Sequence, residues 1–420
     1  MQIPPIEPTH TTPSGVPQEP SQTHKVQAST YQCGTDLIYA TKTALQETSG
    51  NAPVRDFDKL ILNGVTCIKS NGYIFPSGGL RGWGTSEGMG NWMRDALKNG
   101  DMKLFQTLLN SYFHITRLAP DHLGLMPWSF DKSGQISNFD GASNSATDAD
   151  EDIISTLIDA VAKDPNLTMT ADGVTMKVSD LLKTAISNFT KMDCGSTNGL
   201  TGGSFGQKLV PGLTDYLDLT ALTKMMNYCQ KNGMPEQAKI LNDAMVSMMN
   251  NYVKKELSAS GLPSGDPEGD GSSAIARLLY RMTEFIASPL SKNSPLRQDA
   301  ITIVQNLLTK GFSPSTNAIQ IAQSQWGTTI KMKTPGSYEL GNAQASATLY
   351  MAMKLLNDQG LLPPELVSKL PAVKAAFDCD MNNQFNNLQQ DTPSQYSNNG
   401  DYFGLTLGIL CESLLKEYSS

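Results

Sequence analysis

The sequence predicts one all-helical domain, a toroid or bundle of about twelve helices, and three observations carry that expectation. Apolar residues recur at helical spacing in segment after segment. No linker divides those segments into two groups, although 420 residues are enough for one large domain or two ordinary ones. No repeat of fixed length stands out, which speaks against a solenoid.

Taken in order, residues 1–28 are rich in Pro, Thr, Ser and Gln, have no apolar stretch, and are expected to form a disordered tail ahead of a single domain over 29–420. Helical spacing then marks roughly 34–47, 87–98, 102–116, 148–163, 178–191, 216–232 and 235–257 in the first part. The second part offers about 272–287, 295–310, 340–358, 364–377 and 402–418, joined by connectors rich in Gly, Pro, Asn and Ser. Strand-like alternation is confined to VTCIKS and NGYIF near 65–75 and TIKMKT near 329–334. Segments 118–146, 192–215, 258–271, 311–339 and 379–401 exceed simple turns, and long loops on a rigid scaffold commonly build sites.

Composition limits the partners. Apolar residues make up 39% and charged residues 17%, a globular balance with a rather neutral surface. The net charge of −8 and the absence of a Lys/Arg cluster disfavour nucleic acid and anionic membranes, which need basic surface to displace counterions. No apolar run approaches the roughly 20 residues of a membrane span, and no signal peptide is visible. The six cysteines lack C-x-x-C pairing and are expected to be mostly buried free thiols.

Three stretches carry candidate chemistry. GWGTSEGMGNWMRDAL at 82–97 puts Glu87 at a helix start, between Trp83 and Trp92, with Gly88 and Gly90 expected to let a polymeric ligand approach the backbone. The bland alternative makes Glu87 a partner of the helix dipole. SATDADEDIISTLIDAV at 145–161 crowds Asp148, Asp150, Glu151 and Asp152 at the start of an apolar helix; a structural reading makes Asp148 an N-cap. Calcium would need a Gly at the sixth position and an unwound loop, and magnesium diphosphate a second acidic helix; neither is present. In GLMPWSFDKSG at 124–134, Trp128 offers a flat face to a sugar ring or else lids the core.

In this order the three stretches resemble glycoside hydrolase family 8, with SEG at 86–88, LMPW at 125–128 and ATDAD at 146–150. The resemblance continues more weakly through KLVPGLTDYLDL at 208–219 and GLPSG at 261–265 to NGDYFGLTLGIL at 399–410. It implies an (α/α)6 barrel and inverting hydrolysis of β-1,4-linked glucan, xylan or chitosan. It implies no metal or organic cofactor, a polysaccharide or oligosaccharide partner, a monomer, and an extracellular or periplasmic location. By resemblance Glu87 is the general acid and Asp148 the Asp that binds and distorts the sugar. Trp128 is the aromatic platform, Tyr402 a cleft tyrosine, and Arg277 the arginine that accompanies the base.

The pattern breaks where the base belongs. An inverting hydrolase needs a second carboxylate to activate water, roughly 6.5–9.5 Å from the acid. Many family members have an Asp three residues before the matched arginine, where this chain has Ala274. The preceding loop, SGDPEGDGSS at 264–273, supplies Asp266, Glu268 and Asp270, of which Glu268 or Asp270 is the expected base. The competing expectation is a glycan-binding protein that keeps the cleft without turnover. Asn91 and Trp92 replace the family's Tyr-Gly after the SEG turn, which bears on cleft width.

Overall fold

The computed structural model describes residues 67–76, 84–130, 145–194, 199–203, 214–255, 271–311, 343–389 and 402–419, with Ile136, Leu257 and three strand pieces at 319–321, 330–332 and 338–339. All fall within one of the chain's two compact units, Cys33–Ser420. The expected tail and the expected helix at 34–47 lie outside the described residues.

A hairpin of β1 (Cys67–Ser70) and β2 (Tyr73–Pro76) comes first. Its Asn71-Gly72 turn has φ of 50° and 85°, the left-handed pair that a two-residue hairpin needs. The short β3 (Gly84–Thr85) leads into α1 (Ser86–Asn99), followed by α2 (Met102–Thr116) and the short β4 (Ser129–Phe130). Next come α3 (Thr147–Lys163), the hairpin β5 (Thr168–Ala171) and β6 (Val174–Lys177), and α4 (Val178–Met192). A 3-10 turn at Thr214–Tyr216 precedes α5 (Leu219–Lys231), and α6 (Pro235–Ser247) runs into a π-helical turn at Met248–Val253. The rest is α7 (Gly271–Ala287), α8 (Arg297–Gly311), a small sheet of β7 (Ile319–Ile321), β8 (Ile330–Met332) and β9 (Tyr338–Glu339), then α9 (Ala343–Asp358), the one-turn α10 (Pro364–Val367), α11 (Leu370–Gln389) and α12 (Tyr402–Tyr418).

The packing order defines the architecture. Helices α1, α3, α5, α7, α9 and α12 each pack on the next, and α12 returns to α1, closing an inner ring of six. Helices α2, α4, α6, α8 and α11 pack outside α1, α3, α5, α7 and α9 respectively. Six inner helices and the five outer ones among the described residues have the arrangement of an (α/α)6 barrel.

The core fills the seams between the two layers, with Trp92, Tyr112, Phe105, Phe113, Phe189 and Phe285 among its largest buried side chains. Each fully buried Leu or Phe contributes about 1.5–3 kcal/mol. Inner helices are enclosed along most of their surface. Every residue from Thr147 to Leu157 of α3 is buried, acids included, so polar groups here must find partners inside the protein.

Two expectations about local structure change. Gly90 does not serve a ligand: a Cβ there would lie 3.1 Å from the Cβ of Asp152, so the glycine lets α1 and α3 approach. Asp148 is not the N-cap of α3; Ala146 holds that position without a side-chain bond, and Asp148 lies inside the first turn. Among the described residues Cys194, Cys229 and Cys411 are buried free thiols.

Candidate active site

Glu87 lies in the first turn of α1, which Thr85 caps by accepting from Gly88 N at 3.2 Å. The chain enters the helix through the β3–β4 pairing, and Ser86 N donates to the Trp128 carbonyl at 3.0 Å. Those bonds pin the Trp128 loop beside the helix start. Trp128 Nε1 then donates to Glu87 Oε1 at 3.1 Å, with both side chains partly buried. Burial, and after it the negative charge of Asp148, push the Glu87 carboxyl up to about 7. The Glu87 backbone N–H, Trp128 and Arg277 pull the other way and are outweighed.

The acids at the start of α3 divide by direction. Asp148 is 3% exposed, accepts from Ala149 N at 3.0 Å, and is the neighbouring charge that most raises Glu87. Asp150 turns toward the 124–128 loop and accepts from Met126 N at 3.0 Å, anchoring the backbone that carries Trp128. Its carboxyl is pushed up to about 8 by burial, against the bonds from Met126 and Ser145. Glu151 is held well above the usual carboxylate range by burial, and Asp152 rises to about 6 for the same reason. Asp152 meets Arg94 at 3.2 Å and Arg281 at 3.5 Å, and Arg94 also pairs with Glu284, so this part of the acid cluster belongs to a buried ionic core.

The facing wall comes from α7 and the Thr214–Tyr216 turn. Arg277 Nε donates to Asp215 Oδ2 at 2.6 Å, and its guanidinium carbon lies 5.5 Å from the centroid of the Tyr216 ring. One turn further along α7, Arg281 is 1% exposed; it donates to the Asp215 carbonyl at 3.0 Å and stands 3.7 Å from Asp148 Oδ2. Burial raises Tyr216 well above the usual phenol range, with Asp148, Asp215 and Glu87 adding to the shift. Glu87, Asp148, Arg277, Asp215 and Tyr216 therefore share one electrostatic environment at the barrel end where α1, α3 and α7 begin.

Residues 65–230 match the family model described as glycosyl hydrolases family 8. This segment is similar to glycoside hydrolase family 8. Family 8 proteins are glycoside hydrolases, and the matched residues include Glu87, Trp128, Asp148 and Asp215. The fold is similar to a beta-1,3-1,4-glucanase from Paenibacillus sp. X4 (TM-score 0.55, 15% identity, 86% of this chain and 89% of that one). It is also similar to a reducing-end-xylose releasing exo-oligoxylanase (TM-score 0.52, 12% identity, 91% of this chain and 92% of that one). At these identities the likeness establishes the fold. The search of curated proteins found no match.

Of the residues expected from the sequence, the matched segment brings Glu87, Trp128 and Asp148 together, and Arg277 joins them from α7. Trp92 is a correction: at 1% exposure it packs in the core and presents no face to a sugar. Trp83, Glu268 and Asp270 lie outside the described residues; Tyr402 opens α12 and Ala274 sits in the first turn of α7, each described by its backbone alone. Asp215, Tyr216 and Arg281 were not anticipated. The stretch TDYLDL shows an acid beside a tyrosine ahead of a helix, but nothing in its spacing says that α7 supplies the arginine opposite. Among the described residues no group of three or more His, Cys, Asp or Glu is arranged for a metal ion, and no helix is long and apolar enough to cross a membrane.

Proposed function

We propose that the protein hydrolyses a β-1,4-linked polysaccharide within the chain and with inversion, a cellulose-like glucan being the first choice and xylan or chitosan the others. The observation that carries this reading is the Glu87 carboxyl, held by Trp128 beside Asp148 and pushed up to about 7. A group of that affinity keeps a useful proton fraction near neutrality and gives it up readily, as a general acid at a glycosidic oxygen must.

Glu87 protonates the leaving oxygen, while Asp148 binds the sugar on the near side of the scissile bond and favours its distortion. Trp128 stacks on a ring, and Trp83 and Tyr402 extend the cleft. Glu268 or Asp270 activates the water on the opposite face of the sugar. The linkages named for the two similar structures, a mixed-linkage glucan and xylo-oligosaccharides, belong in the substrate panel.

The test is reducing-sugar release from carboxymethylcellulose, mixed-linkage glucan, xylan and chitosan, with Glu87→Gln as control. Cleavage of at least one polymer, lost in the variant, supports the reading. The alanine at position 274 favours one competing account, a glycan-binding protein without turnover. Saccharide binding with no cleavage of any polymer would establish that account instead.

A further inference from the structure

Asp215 lies in the 3-10 turn ahead of α5, and its side chain has no exposure. One carboxylate oxygen accepts from Arg277 Nε at 2.6 Å, while the other meets no donor among the described residues. Burying a carboxylate with one oxygen unmet is costly, and an apolar pair of similar volume often serves stability as well as a buried ion pair. A carboxylate at this position is better explained by what it does to its neighbours.

The Asp215 bond falls on Nε, at the root of the guanidinium fork, so it fixes the plane of the whole group. The Tyr216 ring beneath it, 5.5 Å from the guanidinium carbon, fixes it again. The turn that carries both residues is seated on the π-helical turn Met248–Val253, and Arg281 holds its backbone at the Asp215 carbonyl. The result is a cation within electrostatic reach of Glu87, with its counter-charge built into the same turn as its platform.

We infer that Asp215 is a positioning residue for the acid site: it holds the Arg277 guanidinium on Tyr216, beside Glu87 and Asp148, and partly neutralises it there. This rests on the reading of Glu87 as proton donor. The groups facing Glu87 are Asp148 and Asp150 from α3, Arg277 from α7, Tyr216 from the turn and Trp128 from the loop. Those facing Asp215 are Arg277 and Arg281 from α7, Asp148 from α3 and Tyr216 from its own turn.

Asp215→Asn tests the idea because the amide oxygen still accepts from Arg277 while the charge is gone. Arg277 then stays in place and acts on Glu87 with its full charge. The Glu87 ionisation midpoint, read by carboxyl carbon NMR with Glu87→Gln identifying the resonance, is expected to fall by about half a pH unit or more. Arg277→Gln is expected to move the same midpoint upward, and a side chain that merely packs would move neither.

An unmoved or raised midpoint in Asp215→Asn overturns the inference. If that variant does not fold, Arg277→Gln decides, and an unmoved or lowered midpoint there overturns it. The NMR titration needs no turnover. A protein that cleaves no polymer yet shows the two opposite shifts retains the inference, while the hydrolase reading fails.

Discussion

At the scale of single residues, the proton affinity of Glu87 is set by its neighbours, and each of them makes a signed prediction. Trp128→Phe removes a donor that favours the ionised form, so the alkaline limb of the pH–rate profile should move up from about 7. Asp148→Asn removes the charge that most opposes ionisation, so the limb should move down, and the proposed sugar-binding role adds a loss of kcat. Both are read from kcat/KM between pH 4 and 9. Glu87→Gln should lower kcat by about 10²–10⁴, the usual contribution of a general acid.

That Glu87, Trp128 and Asp148 lie together was legible because each sits in a short, distinctive motif. Trp92 was misread, although helix geometry held a warning. Five residues from Glu87 on one helix is about 140° around the axis, which points away from a cleft and into the outer layer. Asp215 was not legible at all, since its meaning depends on Arg277, sixty-two positions further along the chain.

At the scale of elements, helical spacing gave a close account because amphipathic faces repeat wherever one helix layer packs on another. The departures have local causes. The helix expected over 216–232 starts at Leu219, where Asp218 caps it by accepting from Ala221 N at 2.9 Å. The one expected over 235–257 gives way to the π-helical turn that seats Thr214–Tyr216. The one expected over 364–377 divides into α10 and a longer α11.

The β5–β6 hairpin was missed, although Asp172-Gly173 between alternating residues is a readable two-residue turn. The close approach of α1 to α3 was invisible from sequence, because a glycine in a helix does not say which neighbour it admits. Gly90→Val should force α1 off α3 at Asp152 and cost about 1–3 kcal/mol. In a chain of this size that lowers Tm by several degrees in a thermal melt, whereas a ligand-facing glycine would lose activity with no change in Tm.

At the scale of the whole molecule, the inner ring encloses more carboxyls than its arginines neutralise. Burial leaves Asp150 near 8, Glu87 near 7 and Asp152 near 6, with Glu151 and Asp193 also held well above the usual carboxylate range. In the unfolded chain these groups lose their protons around pH 4, whereas the folded protein keeps them to higher pH. The stability they contribute is full below the unfolded value and lost as pH rises through the folded values. Tm should therefore fall between about pH 4 and pH 8, opposed by Glu284, which Arg94 helps to hold below its ordinary value. Asp150→Asn should flatten that slope, and a Tm that climbs steadily over the same range would contradict the protonated interior.

The ring also sets the functional claim, since it places Glu87, Asp148 and Arg277 at one end of the barrel. Time-resolved proton NMR of a cleaved β-1,4 oligosaccharide tests that claim most directly. The α-anomer is expected first, formed by the native protein and absent with Glu87→Gln. Initial formation of the β-anomer, or an undiminished rate in Glu87→Gln, would contradict it.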